Sequence, residues 1–333
     1  MKKHWKYVFT LGIATGSLWG HSPIVDSEID DKVMSIAMNP SIESIALNDT
    51  PRLPHKKDDR ASCFPLTGEW SLAFDSFRNS SDGSWEGNMG AFTSLNLKAR
   101  MVGDWFAGLG GSYGLYDWAG RASMPFSNEK AFQQQGFLSG SIALAGTKTP
   151  GVHVGISYDW MFNRHFGLFA VNPMMSQVRG QIGYLFSGGN EWGAWGTIDT
   201  LTSHQEVSYV PLKFRAIPQA NLFWCHYFKN KGYGMVWAGT PYRRGLMYDS
   251  GRPGRYIFGA RFSAPLTGSL SISGHGSYMG ARSSSLQGVE SKNYSANVSF
   301  ALTYAFGPCR GGATPYLTVA DNSSFLVDTN SNH

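Results

Sequence analysis

From Gly68 onward the chain alternates apolar and polar positions with a period of two, the spacing that sends successive side chains to opposite faces of a strand. The pattern is cleanest between Tyr294 and Phe306. There Tyr294, Ala296, Val298, Phe300, Leu302, Tyr304 and Phe306 occupy the even places, and the residues between them are all small or polar. Val152, Val154, Ile156, Tyr158, Trp160 and Phe162 alternate in the same way with His153, Gly155, Ser157 and Asp159. So do Thr93, Leu95, Leu97, Ala99 and Met101 with Ser94, Asn96, Lys98 and Arg100. The pattern predicts about twelve strands: residues 68–78, 89–101, 105–118, 131–146, 151–163, 176–187, 191–202, 213–228, 232–241, 253–264, 268–279 and 292–306.

Alternation alone also fits a soluble sandwich, so the connections decide. After every second strand comes a tight turn: Val102-Gly103-Asp104, Gly146 to Pro150, Gly188-Gly189-Asn190, Lys229-Asn230-Lys231 and Pro265-Leu266-Thr267. The other connections are longer and polar, as in Asn79 to Asn88, Gly120 to Lys130, Ser203 to Leu212 and Ala281 to Ser291. Short turns at one end, long loops at the other and an even strand number predict an all-β fold, an up-and-down antiparallel transmembrane β-barrel of the bacterial outer membrane. Lipid cannot satisfy an exposed peptide edge, so a spanning sheet must close. Trp70, Trp105, Tyr158, Trp160, Tyr256, Tyr304 and Phe306 lie near predicted strand ends, where interfacial girdles belong.

Composition and the N-terminus sharpen this picture. Charged residues are only 15% of the 333, while Gly numbers 40 and aromatics reach 14%, which excludes a disordered chain and an ordinary cytoplasmic α/β enzyme. Residues 1–20 carry Lys2, Lys3 and Lys6 and a short apolar run, which predicts a cleaved secretory signal peptide. Those lysines supply three of the five formal positive charges, so the exported chain is nearly balanced, and with no basic stripe a nucleic-acid partner is not expected. Residues 21–62 read as a polar linker with one short helix over Asp31 to Met38, residues 63–306 as the barrel, and residues 307–333 as a periplasmic tail or plug. The tail carries Tyr316-Leu317 and Phe325-Leu326-Val327, too apolar for a plain linker.

The final strand resembles the assembly signal of outer-membrane barrels in its alternating aromatics, and departs from it in the 27 residues that follow Phe306. Four stretches resemble an uncharacterised family of secreted barrel-like proteins from planctomycete and chlamydia-type bacteria. They are Gly114-Leu115-Tyr116-Asp117-Trp118, Gln177-Val178-Arg179-Gly180-Gln181, Asn221-Leu222-Phe223-Trp224 and the run from Val319 to Asn330. The resemblance implies class and compartment and no activity.

Candidate chemistry is sparse. His153, His226 and His275 fall in predicted strands, but no local spacing gives a serine nucleophile a base and an orienting acid, so no catalysis is expected. No metal motif occurs, and no cofactor is expected. Of the three cysteines, Cys63 and Cys309 flank the first and last strands, which are neighbours in a closed barrel. A disulfide between them is one reading and three reduced thiols the other, with Cys225 left free in either. The alternation turns Lys98, Arg100, Arg179, Arg255 and Arg261 into the lumen against Glu69, Asp75, Asp159 and Asp199. A nearly neutral, twelve-strand lumen predicts a narrow, passive, porin-like channel for small solutes. The alternative is a structural or adhesive barrel binding a partner through its long loops. Expected partners are membrane lipids and the outer-membrane assembly machinery.

Overall fold

The computed structural model describes residues 66–79, 87–117, 132–145, 150–167, 169–246, 251–286, 289–307 and 318–330. The signal peptide, the linker, its helix, and both Cys63 and Cys309 lie outside these residues.

Twelve strands close into one antiparallel barrel: β1 (Leu66–Arg78), β2 (Asn88–Arg100), β3 (Trp105–Tyr116), β4 (Gln133–Ala145), β5 (Gly151–Arg164), β6 (Met174–Leu185), β7 (Asn190–Leu201), β10 (Gln219–Tyr227), β11 (Tyr233–Pro241), β12 (Ile257–Pro265), β13 (Leu270–Leu286) and β14 (Val289–Phe306). β1 and β14 seal it, with Gly68 opposite Phe306 and Arg78 opposite Ala296. The predicted faces hold along the middle of the strands. Leu72, Ile156, Ile182, Leu222, Val298, Phe300 and Leu302 point outward and are exposed, while Asp75, Asn96, Ser157, Asp159 and Asn297 point inward and are buried.

Aromatic rings gather at both ends of the apolar belt. Toward the long loops, Tyr256 stacks on Phe258, Phe258 meets Tyr278 and Tyr278 meets Tyr294 at a tilt, and the Arg78 guanidinium lies 4.3 Å from the Tyr294 ring centre. Toward the short turns, Tyr184 meets Phe186, Trp192 meets Trp224, and His226 meets Phe228.

Three expectations need correction. The strand predicted over 213–228 is two strands, β9 (Val210–Ala216) and β10, because Pro218 has no N–H to give the ladder and breaks it. The loop predicted over 203–212 is instead a hairpin of β8 (Ser203–Val207) with β9, turning at Ser208 and Tyr209, whose positive φ angles of 49° and 66° suit a tight hairpin turn. Finally, Ala281 to Ser291 is no open loop, since β13 and β14 run on and pair to Leu286 opposite Val289. A register shift between Met279 and Arg282 marks the bulge that lets the hairpin continue.

The inner face is not uniformly polar. One apolar cluster joins Phe137, Met161, Met175, Phe214, Phe325 and Val327, and a second joins Trp195, Phe223, Met235, Trp237, Ile257 and Leu326. Both clusters include residues from beyond β14, and this positions the site.

Candidate functional site

The last strand ends at the short-turn end with Phe306 and Gly307, and Thr318 lies inside the barrel. Residues 318–330 then cross the lumen toward the long-loop end, finishing as β15 (Val327–Thr329), which pairs with β9 to extend the β8–β9 hairpin into a three-stranded sheet. Phe325, Leu326 and Val327 are fully or almost fully buried. Gly110 on β3 admits the tail, since any Cβ there would collide with Val319.

At its centre the tail folds as a turn around Asp321. Asp321 Oδ1 accepts from the backbone N–H groups of Ser323 and Ser324, both at 3.0 Å, and the Phe325 N–H donates to Asp321 O at 2.8 Å. Aspartate followed by small hydroxyl residues favours this local geometry. The turn aims Asp321 Oδ2 at the Arg261 guanidinium of β12, with His275 Nδ1 at 3.7 Å. Burial alone would raise the Asp321 carboxyl, but Arg261, His275, the Ser323 hydroxyl and Arg179 outweigh it and hold it well below the usual carboxylate range.

The wall grips the tail at several further points. Arg179, paired with Asp159 at 3.1 Å, donates to Thr318 O at 2.7 Å. Ser139 Oγ accepts from the Ala320 N–H at 2.9 Å. The Asn322 amide donates to Asp75 Oδ2 at 2.9 Å and to Gln135 Oε1 at 2.8 Å, while Asp75 also accepts from Tyr116 and Asn297. Gln177 and Gln219 both donate to Ser324 O at 3.2 Å. Near the long-loop end Arg215 pairs with Asp328 at 3.1 Å. Burial raises the Asp328 carboxyl above its ordinary value, against the Leu246 N–H and Arg215, which lower it.

Below the tail, toward the short turns, a chamber of about 470 Å³ remains. Its wall is formed by β1, β2, β3 and β11 to β14, its roof by Thr318 to Asp321, and its mouth by turn residues including Asn230 and Thr267.

The predicted lumen charges divide between interior and rim. Lys98 pairs with Glu69 at 3.0 Å, Arg179 with Asp159, and Asp75 is wholly buried, so these five, with Arg261, lie inside. Arg100 instead sits exposed at the short-turn rim on Asp104, Arg255 is exposed ahead of β12, and Asp199 pairs at 2.6 Å with the exposed Arg243. Strand ends carry Arg100 and Arg255 out of the enclosed volume although the alternation points them inward, whereas the Asp199 side chain stays only 8% exposed. Sequence reading missed the interior acids Glu191, which binds His153 at 3.2 Å and Tyr227 at 2.8 Å, and Asp321. The signal for the latter was present in the run Asp321-Asn322-Ser323-Ser324 followed by Phe325-Leu326-Val327. Cys225 is free and fully buried in the second apolar cluster.

Solved structures similar to the chain include an outer-membrane channel from Pseudomonas putida F1, at 7% identity and a TM-score of 0.48, covering 79% of this chain and 100% of that one. The Pseudomonas putida toluene transporter TodX is similar at 10% identity and a TM-score of 0.40, covering 73% and 90%. Outer membrane phospholipase A from Escherichia coli is similar at 10% identity and a TM-score of 0.39, covering 72% and 97%. No curated protein matches the chain. One family model matches residues 71–327, from the first barrel strand through the buried end of the tail, and so spans barrel and plug together. On that match the chain belongs to the family of unknown function DUF6666.

Proposed function

We propose that the protein is an outer-membrane β-barrel that holds a small-solute path closed with its own tail. The membrane reading rests on the exposed belt of Leu72, Ile156, Leu222, Val298 and Phe300 around a sheet with no free edge. In water such a belt would far exceed the apolar patch of a few hundred Å² that monomers expose. Export through a cleaved signal peptide goes with this reading, as does the resemblance to secreted barrel-like proteins.

The observation that carries the channel reading is the division of the lumen. The long-loop half is filled by residues 318–330, and the short-turn half keeps a chamber lined by hydroxyl and apolar side chains together. An always-open porin has no use for a plug tied by Arg261–Asp321 and Arg215–Asp328, whereas a closed path does. No reacting group is needed for this role, and the protein is read as a passive conductor rather than an enzyme. The test is conductance in planar bilayers. The intact chain should be closed nearly all the time, and a variant lacking residues 318–330 should open in discrete small steps. A truncated barrel that folds but stays silent would sink the channel, and an intact chain that conducts freely would sink the plug.

One feature favours a structural or adhesive role. The β8–β9 hairpin ends in Tyr209, 94% exposed, beside the exposed Val210. Loss of surface attachment on deleting the hairpin tip, with conductance unchanged after tail removal, would favour that second role.

A further inference from the structure

The chamber wall has an order that strand register alone reveals. Ser271 on β13 lies opposite Thr303 on β14, Thr303 opposite Ser71 on β1, Ser71 opposite Ser94 on β2, and Ser94 opposite Ser112 on β3. Five adjacent strands thus present one unbroken row of hydroxyl side chains, all lining the chamber and all half-buried. Directly opposed residues stand about 4.5–5.5 Å apart at Cβ, so the row is a ladder of evenly spaced donors and acceptors. Ser71 Oγ lies 2.9 Å from Thr303 Oγ1, and Ser273 Oγ adds a second contact to Thr303 at 3.2 Å.

The charges bordering this row are already satisfied. Glu69 is held by Lys98, and Arg261 by Asp321. An ionic ligand would have to break one of these pairs or be desolvated without a counter-charge, which costs more than its contacts return. Ser71 and Thr303 satisfy each other, but an apolar ligand would desolvate the Ser94, Ser112 and Ser271 hydroxyls of the row with nothing to bond them. A hydroxyl rotates to donate or accept as its partner requires, so the wall suits a molecule that is itself a string of hydroxyls. The 470 Å³ volume falls within the range of small-ligand sites, about 300–1,000 Å³.

We infer that the chamber is a binding site for neutral polyhydroxylated solutes of mono- to disaccharide size, docked along the Ser271–Thr303–Ser71–Ser94–Ser112 row. This rests on the closed-channel reading for its physiological meaning but not for its test. The experiment is calorimetric titration of the full chain in lipid nanodiscs with sucrose, and in parallel with sodium glutamate and inorganic phosphate. Saturable sucrose binding is expected, with neither charged probe competing. The double variant Thr303→Val, Ser94→Ala keeps wall shape and charge pairs while removing two hydroxyls, and should weaken sucrose about tenfold or more, equal to about 1.4 kcal/mol. Its folding is checked by heat-modifiable migration, and a second pair, Ser71→Ala with Ser271→Ala, replaces it if it does not assemble.

Absent saturable sucrose heat, tighter binding of glutamate or phosphate, or sucrose binding unchanged in a folded row variant would each overturn the assignment. Sucrose binding by a barrel that never conducts would retire the channel and leave the site standing. A full chain that ignores sucrose while its tail-deleted variant conducts would do the reverse.

Discussion

Replacing Asp321 by Asn probes the contact between barrel and plug with little change of shape. An asparagine oxygen in the Oδ1 place still accepts the Ser323 and Ser324 N–H groups, so the local turn is preserved. What is lost is the charge facing Arg261, whose side chain is only 13% exposed, and an amide N–H₂ now confronts the guanidinium. Removing one partner of a buried ion pair costs about 3–5 kcal/mol because the other charge stays desolvated. The surviving bond from Arg261 to Thr318 Oγ1 at 3.0 Å places the expected loss at the low end. At about 1.4 kcal/mol per factor of ten, the open population should rise about a hundredfold. Single-channel recording measures it as open probability, and Asp321→Asn with Arg261→Gln should recover part of the loss, because no buried charge then remains unpaired. An Asp321→Asn protein with wild-type open probability, assembled and heat-modifiable, would refute the claim that this pair holds the tail.

Four further outcomes are expected. Val298→Arg places a charge on the lipid face and should cost about 2–4 kcal/mol, read as loss of the heat-modifiable band, while Ser271→Arg, turned into the chamber, should assemble. Cys225, fully buried, should resist maleimide in the folded barrel and react only after heating in detergent; rapid labelling of the native protein would mean the lumen is open at that level. A carboxyl held low in the folded state contributes stability above its unfolded pKa and loses it only as pH falls through the lower folded value. The plug should therefore stay shut at about pH 4, where an ordinary aspartate is half protonated, and opening already at that pH would contradict the Arg261–Asp321 assignment. Phe325→Ala empties a site between Phe137 and Val327 and should destabilise the plug by about 3–5 kcal/mol, seen as proteolytic release of the tail before the barrel unfolds.

The barrel was legible because its code is local. Lipid outside and a mostly polar lumen inside force an alternation that any ten-residue window displays, and the tight turns fix the strand count. Pro218 is equally legible as a break in the run 213–228, since a proline has no N–H for the ladder. The plug was not legible, since its partners lie far apart in sequence: Asn322 and Asp75 are separated by 247 residues. Nothing near Asp75 announces that its acceptors await an amide from beyond the last strand. Periodicity gives each side chain a face but no height along the barrel, so it reads Arg179 and Arg261, which are enclosed, and Arg100 and Arg255, which are exposed at strand ends, alike.

The tail lies C-terminal to every barrel strand, yet its last strand, β15, pairs with β9, which lies between the seventh and eighth strands of the wall. Its docking surface is therefore complete only when distant parts of the wall, Asp75 on β1, Ser139 on β4, Gln177 on β6 and Arg261 on β12, have been brought around a common axis. An unclosed sheet offers the tail no more than a fraction of these contacts. The tail's contacts therefore stabilise the closed cylinder as a whole rather than any single hairpin of it.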